Sequence, residues 1–167
     1  MRCNAPGTSF TEAQKALGRK DYQAAQLWLD KALNERRSLI QSTPSEKIDL
    51  ESIYALYARF YYEQADFKKA ELYMQKALIY TEKKPEKYID QIGYANNMAS
   101  MASILYCQNK LRQADNYIGK AIVIYSRFKL DQTDLNDIYI RIHKTQNSHP
   151  LNIEAGGNCK IFLPIHR

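Results

Sequence analysis

One pattern recurs three times along this chain and constrains its fold more than any other feature. The first copy places Tyr22, Ala25, Trp28, Leu29, Ala32 and Leu33 in order; the second places Phe67, Ala70, Tyr73, Met74, Ala77 and Leu78. The third places Leu111, Ala114, Tyr117, Ile118, Ala121 and Ile122, so that successive copies start 45 and 44 residues apart. A period of this size marks stacked supersecondary units, because each unit carries an apolar face that it cannot bury alone.

A second apolar stripe precedes two of the copies. Tyr54, Tyr57, Ala58 and Tyr61 follow the spacing i, i+3, i+4, i+7, and so do Met98, Met101, Ala102 and Leu105. At about 100° per residue such a set covers one helix face. Each unit therefore reads as helix A, a tight turn and helix B, with turns at Arg19–Asp21, Ala65–Asp66 and Gln108–Lys110. Linkers that short make the two helices antiparallel neighbours. The pattern predicts helices over about 8–18, 21–41, 45–64, 67–83, 87–108, 111–128 and 132–145. Thr43-Pro44-Ser45-Glu46 has the form of a capping box, Lys84-Pro85-Glu86 should end one helix and open the next, and Asp131-Gln132-Thr133-Asp134 offers another start.

Alanine recurs at matched places: Ala25, Ala70 and Ala114 in helix B, Ala58 and Ala102 in helix A. Small side chains there let two helix axes approach closely, and a bulky replacement would overpack the contact at a cost of about 1–3 kcal/mol. The large neighbours Trp28 and Tyr73, if buried, would cost roughly 3–5 kcal/mol to truncate to alanine. The array then breaks. Leu135, Ile138, Tyr139 and Ile142 repeat the helix A stripe, but Ser148-His149-Pro150 and Ala155-Gly156-Gly157-Asn158 replace the helix B due near residue 155.

The chain has 45% apolar residues, only six Gly and five Pro, and a net charge of +6, which describes a foldable helical chain with scattered basic groups. Cys3, Cys107 and Cys159 are odd in number and lack CxxC spacing, which fits a reduced, cytoplasmic setting without a zinc site. No apolar run approaches the roughly 18 residues of a membrane span. His143, His149 and His166 are not at ligand spacing, and no nucleophile, phosphate-loop or dinucleotide motif occurs. The expectation is a non-enzyme with no catalytic, cofactor or metal residues.

The stretch from Tyr54 to Leu78 resembles the tetratricopeptide repeat: Ala58, Ala70 and Ala77 stand at that family's small positions, and Tyr61, Phe67 and Tyr73 at its large ones. Ala102, Leu111, Ala114, Tyr117 and Ala121 carry the likeness in the third unit; the first matches in helix B and poorly in Ser9, Glu12, Ala13 and Ala16. The family's repeat is about 34 residues, so these units resemble its extended type. The resemblance covers about residues 6–144. It implies an all-α, antiparallel helix-pair solenoid, a right-handed superhelix with three repeats (about 6–42, 45–84 and 87–128), an incomplete fourth with an extra helix at 132–145, and an irregular tail over 146–167.

What the resemblance implies for function is a non-catalytic adaptor or scaffold that binds a peptide or protein on the concave surface lined by helices A. Removing the stripe positions leaves Arg59, Tyr62 and Glu63 (with Ala55) in unit two, and Asn96, Ser100, Ser103 and Tyr106 (with Ala99 and Cys107) in unit three. Arg59 would pair with an acidic group of a partner, while Tyr62 and Tyr106 would pack on apolar ones. The lysine-arginine-asparagine clamp for acidic chaperone tails is missing, since Phe10, Gln14, Leu56, Asn96 and Ser100 occupy its places. A sensor or scaffold fragment of a larger signalling or transcriptional regulator is the alternative. Nucleic-acid binding driven by the positive charge stands third, and no membrane partner is expected.

Overall fold

The computed structural model describes residues 8–42, 50–82 and 88–147. Among them the chain forms seven helices and no strand: α1 (Thr8–Gly18), α2 (Tyr22–Ser42), α3 (Glu51–Glu63), α4 (Phe67–Glu82), α5 (Tyr88–Cys107), α6 (Leu111–Arg127) and α7 (Thr133–Asn147). Helices α1 with α2, α3 with α4 and α5 with α6 pack most extensively, and α4–α5, α2–α3 and α6–α7 join one pair to the next. The arrangement is an all-helical stack of neighbouring pairs, consistent with an α-helical solenoid.

The start signals at 43–46 and 84–86, the fourth helix B due near 155, and the tail from 148 onward lie outside the described residues. Helix α3 begins at Glu51 rather than at 45, with Leu50 ahead of it outside the helix. Leu50 and Ile53 are both buried, so packing anchors the helix start there.

The turn from helix A to helix B is built the same way in all three units. Lys20, Ala65 and Asn109 each adopt φ of 59°. The amide of each donates to a carbonyl three residues back, and the next amide reaches five back: Lys20 to Leu17 and Asp21 to Ala16, Ala65 to Tyr62 and Asp66 to Tyr61, Asn109 to Tyr106 and Lys110 to Leu105. This is a Schellman ending, which satisfies the last carbonyls of helix A in a left-handed residue. The residue after it caps helix B. Asp21 Oδ1 accepts from the Ala24 amide and Asp66 Oδ1 from the Lys69 amide, each at 3.1 Å. The third unit has Lys110 at that place, without a side-chain cap.

The alanine notches sit where the sequence predicts. Ala25, Ala58, Ala70, Ala102 and Ala114 are wholly inaccessible to solvent. The large buried groups beside them are Leu29, Met74 and Ile118, whereas Trp28 and Tyr73 are only half-buried. The expected truncation cost of 3–5 kcal/mol at Trp28 and Tyr73 is therefore too high, since the burial it assumed belongs to the next residue along the helix. In α7, Leu135, Ile138 and Ile142 are buried, but Tyr139 stays 39% exposed with its ring against His143. Asp131 accepts from the amide and hydroxyl of Thr133, which supplies the start signal expected there.

Candidate functional site

The surface expected on helices A is more closed than the sequence pattern implies. Of its seven candidate residues, Tyr62, Ser100 and Ser103 are buried, at 6%, 5% and 3% exposure, and so do not present a contact to a partner. Neighbouring helices take up most of these side chains. Tyr62 meets Phe67 edge to face at 5.6 Å, and its hydroxyl lies 3.6 Å from Cys107 Sγ. Ser103 Oγ donates to the Ala99 carbonyl at 3.2 Å, and Tyr106 shares a 3.1 Å hydrogen bond with Thr145 of α7. Asn96 accepts from the Tyr125 hydroxyl of α6. Ala55 and Ala99 are buried as well.

Arg59 and Glu63 remain partly accessible, at 32% and 22% of their side chains, and pair with each other at 2.8 Å. A ligand carboxylate would have to compete with Glu63 for the guanidinium. At the other end of α3, Glu51 Oε1 accepts from Asn97 Nδ2 of α5 at 2.8 Å, a link between the two helices. Among the described residues no buried side-chain nitrogen or oxygen lacks a partner. The polar groups of this layer thus act first as ties between units.

Cys107 is disulfide-bonded, not the reduced thiol expected from cysteine spacing. His143 Nε2 lies 2.9 Å from Asp115 Oδ1, joining α7 to α6. Among the described residues no group of three or more His, Cys, Asp or Glu is placed to hold a metal ion. No described helix is long and apolar enough to cross a membrane.

Helices B carry features that the sequence reading passed over. Lys31, Lys76 and Lys120 recur at the repeat spacing, each three residues after an aromatic. Their ammonium groups lie over the rings of Trp28, Tyr73 and Tyr117 at 5.0, 4.7 and 6.0 Å. A second repeated device is an acid facing the following unit: Glu71 accepts from Gln108 at 2.8 Å and from Lys110 at 2.7 Å, and Asp115, at the equivalent position, meets His143. Aligning the three copies for charge as well as for apolar residues would have found both.

Unit two holds a tyrosine cluster between its helices. Tyr57 and Tyr61 stack on Tyr73 at 4.7 and 5.4 Å, and Tyr57 donates to Asp30 of α2. Burial, reinforced by the Asp30 carboxylate, pushes the Tyr57 phenol well above its ordinary value; burial also raises Tyr73. Both shifts favour the protonated phenol, a hydrogen-bond donor, and the Tyr57–Asp30 contact joins units one and two. No protein-family model matches the chain, and no similar curated protein or solved structure was found.

Proposed function

We propose that the chain is a tetratricopeptide-repeat-like adaptor, a right-handed superhelix that binds a peptide or protein partner without catalysis or cofactor. The observation that carries this reading is the threefold recurrence of one helix-pair design, with alanine notches buried at Ala25, Ala70 and Ala114 and the same turn at Lys20, Ala65 and Asn109. Arrays of this kind extend a surface rather than enclose a reaction centre. The partner-facing residues in this reading are Arg59, Glu63, Asn96 and Tyr106, each partly accessible on helices A.

The test is quantitative affinity capture with the wild-type chain beside an Arg59→Glu variant and an Arg59→Ala/Glu63→Ala variant. Both changes fall on accessible side chains, so melting temperature should hold within a few degrees. Selective loss of particular partners by both variants is the expected result. Equal recovery of every partner would remove helices A as the docking layer.

A further inference from the structure

On each helix B, the side opposite the alanine notches carries exposed apolar tips and cations, with acids such as Asp30 and Asp115 at its margins. The residue two places after a buried alanine lies about 200° around the helix from it. At these positions stand Leu27 after Ala25, Leu72 after Ala70, Ile79 after Ala77 and Val123 after Ala121, exposed by 67%, 48%, 50% and 61%. The two remaining positions of the set, Asn34 and Asn116, are exposed asparagines. On the same arc are the cations Lys31, Lys68, Lys76, Arg112, Lys120 and Arg127.

Ion pairing separates these charges from the rest of the layer. None of the six has a carboxylate within salt-bridge distance among the described residues. Four acids of helices B flank this arc, and each of the four is engaged by a neighbouring element. Asp30 accepts from Tyr57, Glu35 from Ser9 at 2.7 Å, Glu71 from Gln108 and Lys110, and Asp115 faces His143. Among the described residues, the outer side of the layer therefore carries cations that no carboxylate pairs.

We propose that this outer face of α2, α4 and α6 docks on an anionic lipid surface. A second copy of the chain would set cation against cation, so the occupant must be acidic. Protruding aliphatic tips gain nothing from a phosphodiester backbone, but they gain by entering the acyl boundary of a bilayer. The lysines lie along half-buried aromatic rings, an arrangement in which stems cover apolar surface while ammonium groups reach the headgroups. The same chemistry (aliphatic tip, aromatic, lysine) recurs on successive helices, and a laterally uniform ligand can use each repeat in turn. This is surface attachment, with no helix spanning the bilayer, and it uses the side of the stack away from Arg59 and Glu63.

The full-length chain is sedimented with vesicles of phosphatidylcholine alone and of phosphatidylcholine with about a third phosphatidylserine. The expected result is at least tenfold stronger partition onto the anionic vesicles. Lys31→Gln/Lys76→Gln/Lys120→Gln should lower it about a hundredfold, at several-fold per lysine. Leu72→Asn/Ile79→Asn/Val123→Asn, which places at three sites a residue the ladder already holds at Asn34 and Asn116, should lower it about tenfold. A readout that needs no variant is the fluorescence of Trp28, the one tryptophan of the chain. Brominated lipid in the anionic vesicles should quench it. Equal partition onto both vesicle types, or no quenching on bound vesicles, overturns the proposal. So does an asparagine variant that binds like wild type while the glutamine variant fails; polyglutamate or duplex DNA competing at the same charge ratio would then name an acidic protein or a nucleic acid instead. Arg59 variants should leave vesicle binding unchanged, which keeps this result separate from the adaptor reading.

Discussion

Between α3 and α4 the interior is aromatic: Tyr54, Tyr57 and Tyr61 of helix A meet Tyr73 and Tyr80 of helix B at ring separations from 4.7 to 6.2 Å. Between α5 and α6 the same helix A positions hold Met98, Met101 and Leu105, and helix B offers Tyr117 and Ile124. Both pairs keep inaccessible alanines at the notch, Ala58 with Ala70 and Ala102 with Ala114. The difference teaches that closeness of the axes is set at the alanines, while the surrounding volume is negotiable between ring and chain. It also shows a consequence of choosing rings. A buried phenol needs an acceptor, and Tyr57 finds one in Asp30 of the preceding unit. Met101 needs none, and unit three instead reaches back through Gln108 and Lys110 to Glu71.

The largest expected effect probes what the two units share. Met74→Ala and Ile118→Ala remove fully buried side chains at one equivalent position, and each should cost about 2–5 kcal/mol by denaturant titration. If one cost is small and the other large, the equivalence of the two interiors fails.

The next effect probes what they do not share. Tyr57→Phe keeps the ring and deletes a hydrogen bond to a carboxylate, so a loss of about 1.5–3 kcal/mol is expected. Met101→Leu, the volume-conserving change at the matched site, should cost less than about 1.5 kcal/mol. A Tyr57→Phe protein as stable as wild type would mean that the Asp30 contact does not tie unit two to unit one.

A smaller effect comes from the turns. Ala65→Gly relieves a left-handed alanine and should raise stability by about 1 kcal/mol, whereas Asn109→Gly should gain less, because asparagine tolerates that conformation. Thermal melts of the two variants side by side check the order.

The smallest effect is in acid. Hydrogen bonds from the Lys69 side chain and amide hold the Asp66 carboxyl below its ordinary value near 3.8. Its folded pKa is depressed, so its contribution is complete above the unfolded value and disappears as pH falls through the folded one. Stability should therefore decline with acid below about pH 4, and Asp66→Asn should flatten part of that decline. Lys110 occupies the matched site in unit three, so that turn has no capping carboxylate to lose in acid.

Much of the fold was legible because helical periodicity and the two turn devices are local. The pattern at Phe67, Ala70, Tyr73, Met74 and Ala77 fixes a buried face whatever lies beyond it, and α4 and α6 start where expected, at Phe67 and Leu111. The candidate surface was less legible. Subtracting stripe positions left Tyr62, Ser100 and Ser103 as accessible, but they are buried in the stack, and a single helix pattern does not encode what a neighbouring helix covers. The lysine ladder on helices B was visible in principle, since its spacing equals that of the alanines.

The amino-acid sequence alone determined the number of helical units, their period and the alanine places where rods come close, because each rests on side-chain size and a 3.6-residue turn. Only the tertiary structure decided which polar groups remain open. Arg59 and Glu63 stay accessible while Ser100 and Ser103 do not, and Glu71 pairs with Lys110 of the next unit while Lys31, Lys76 and Lys120 lie over aromatic rings. Those outcomes depend on what the next unit brings within hydrogen-bond reach, and that is a property of the stack rather than of any one segment.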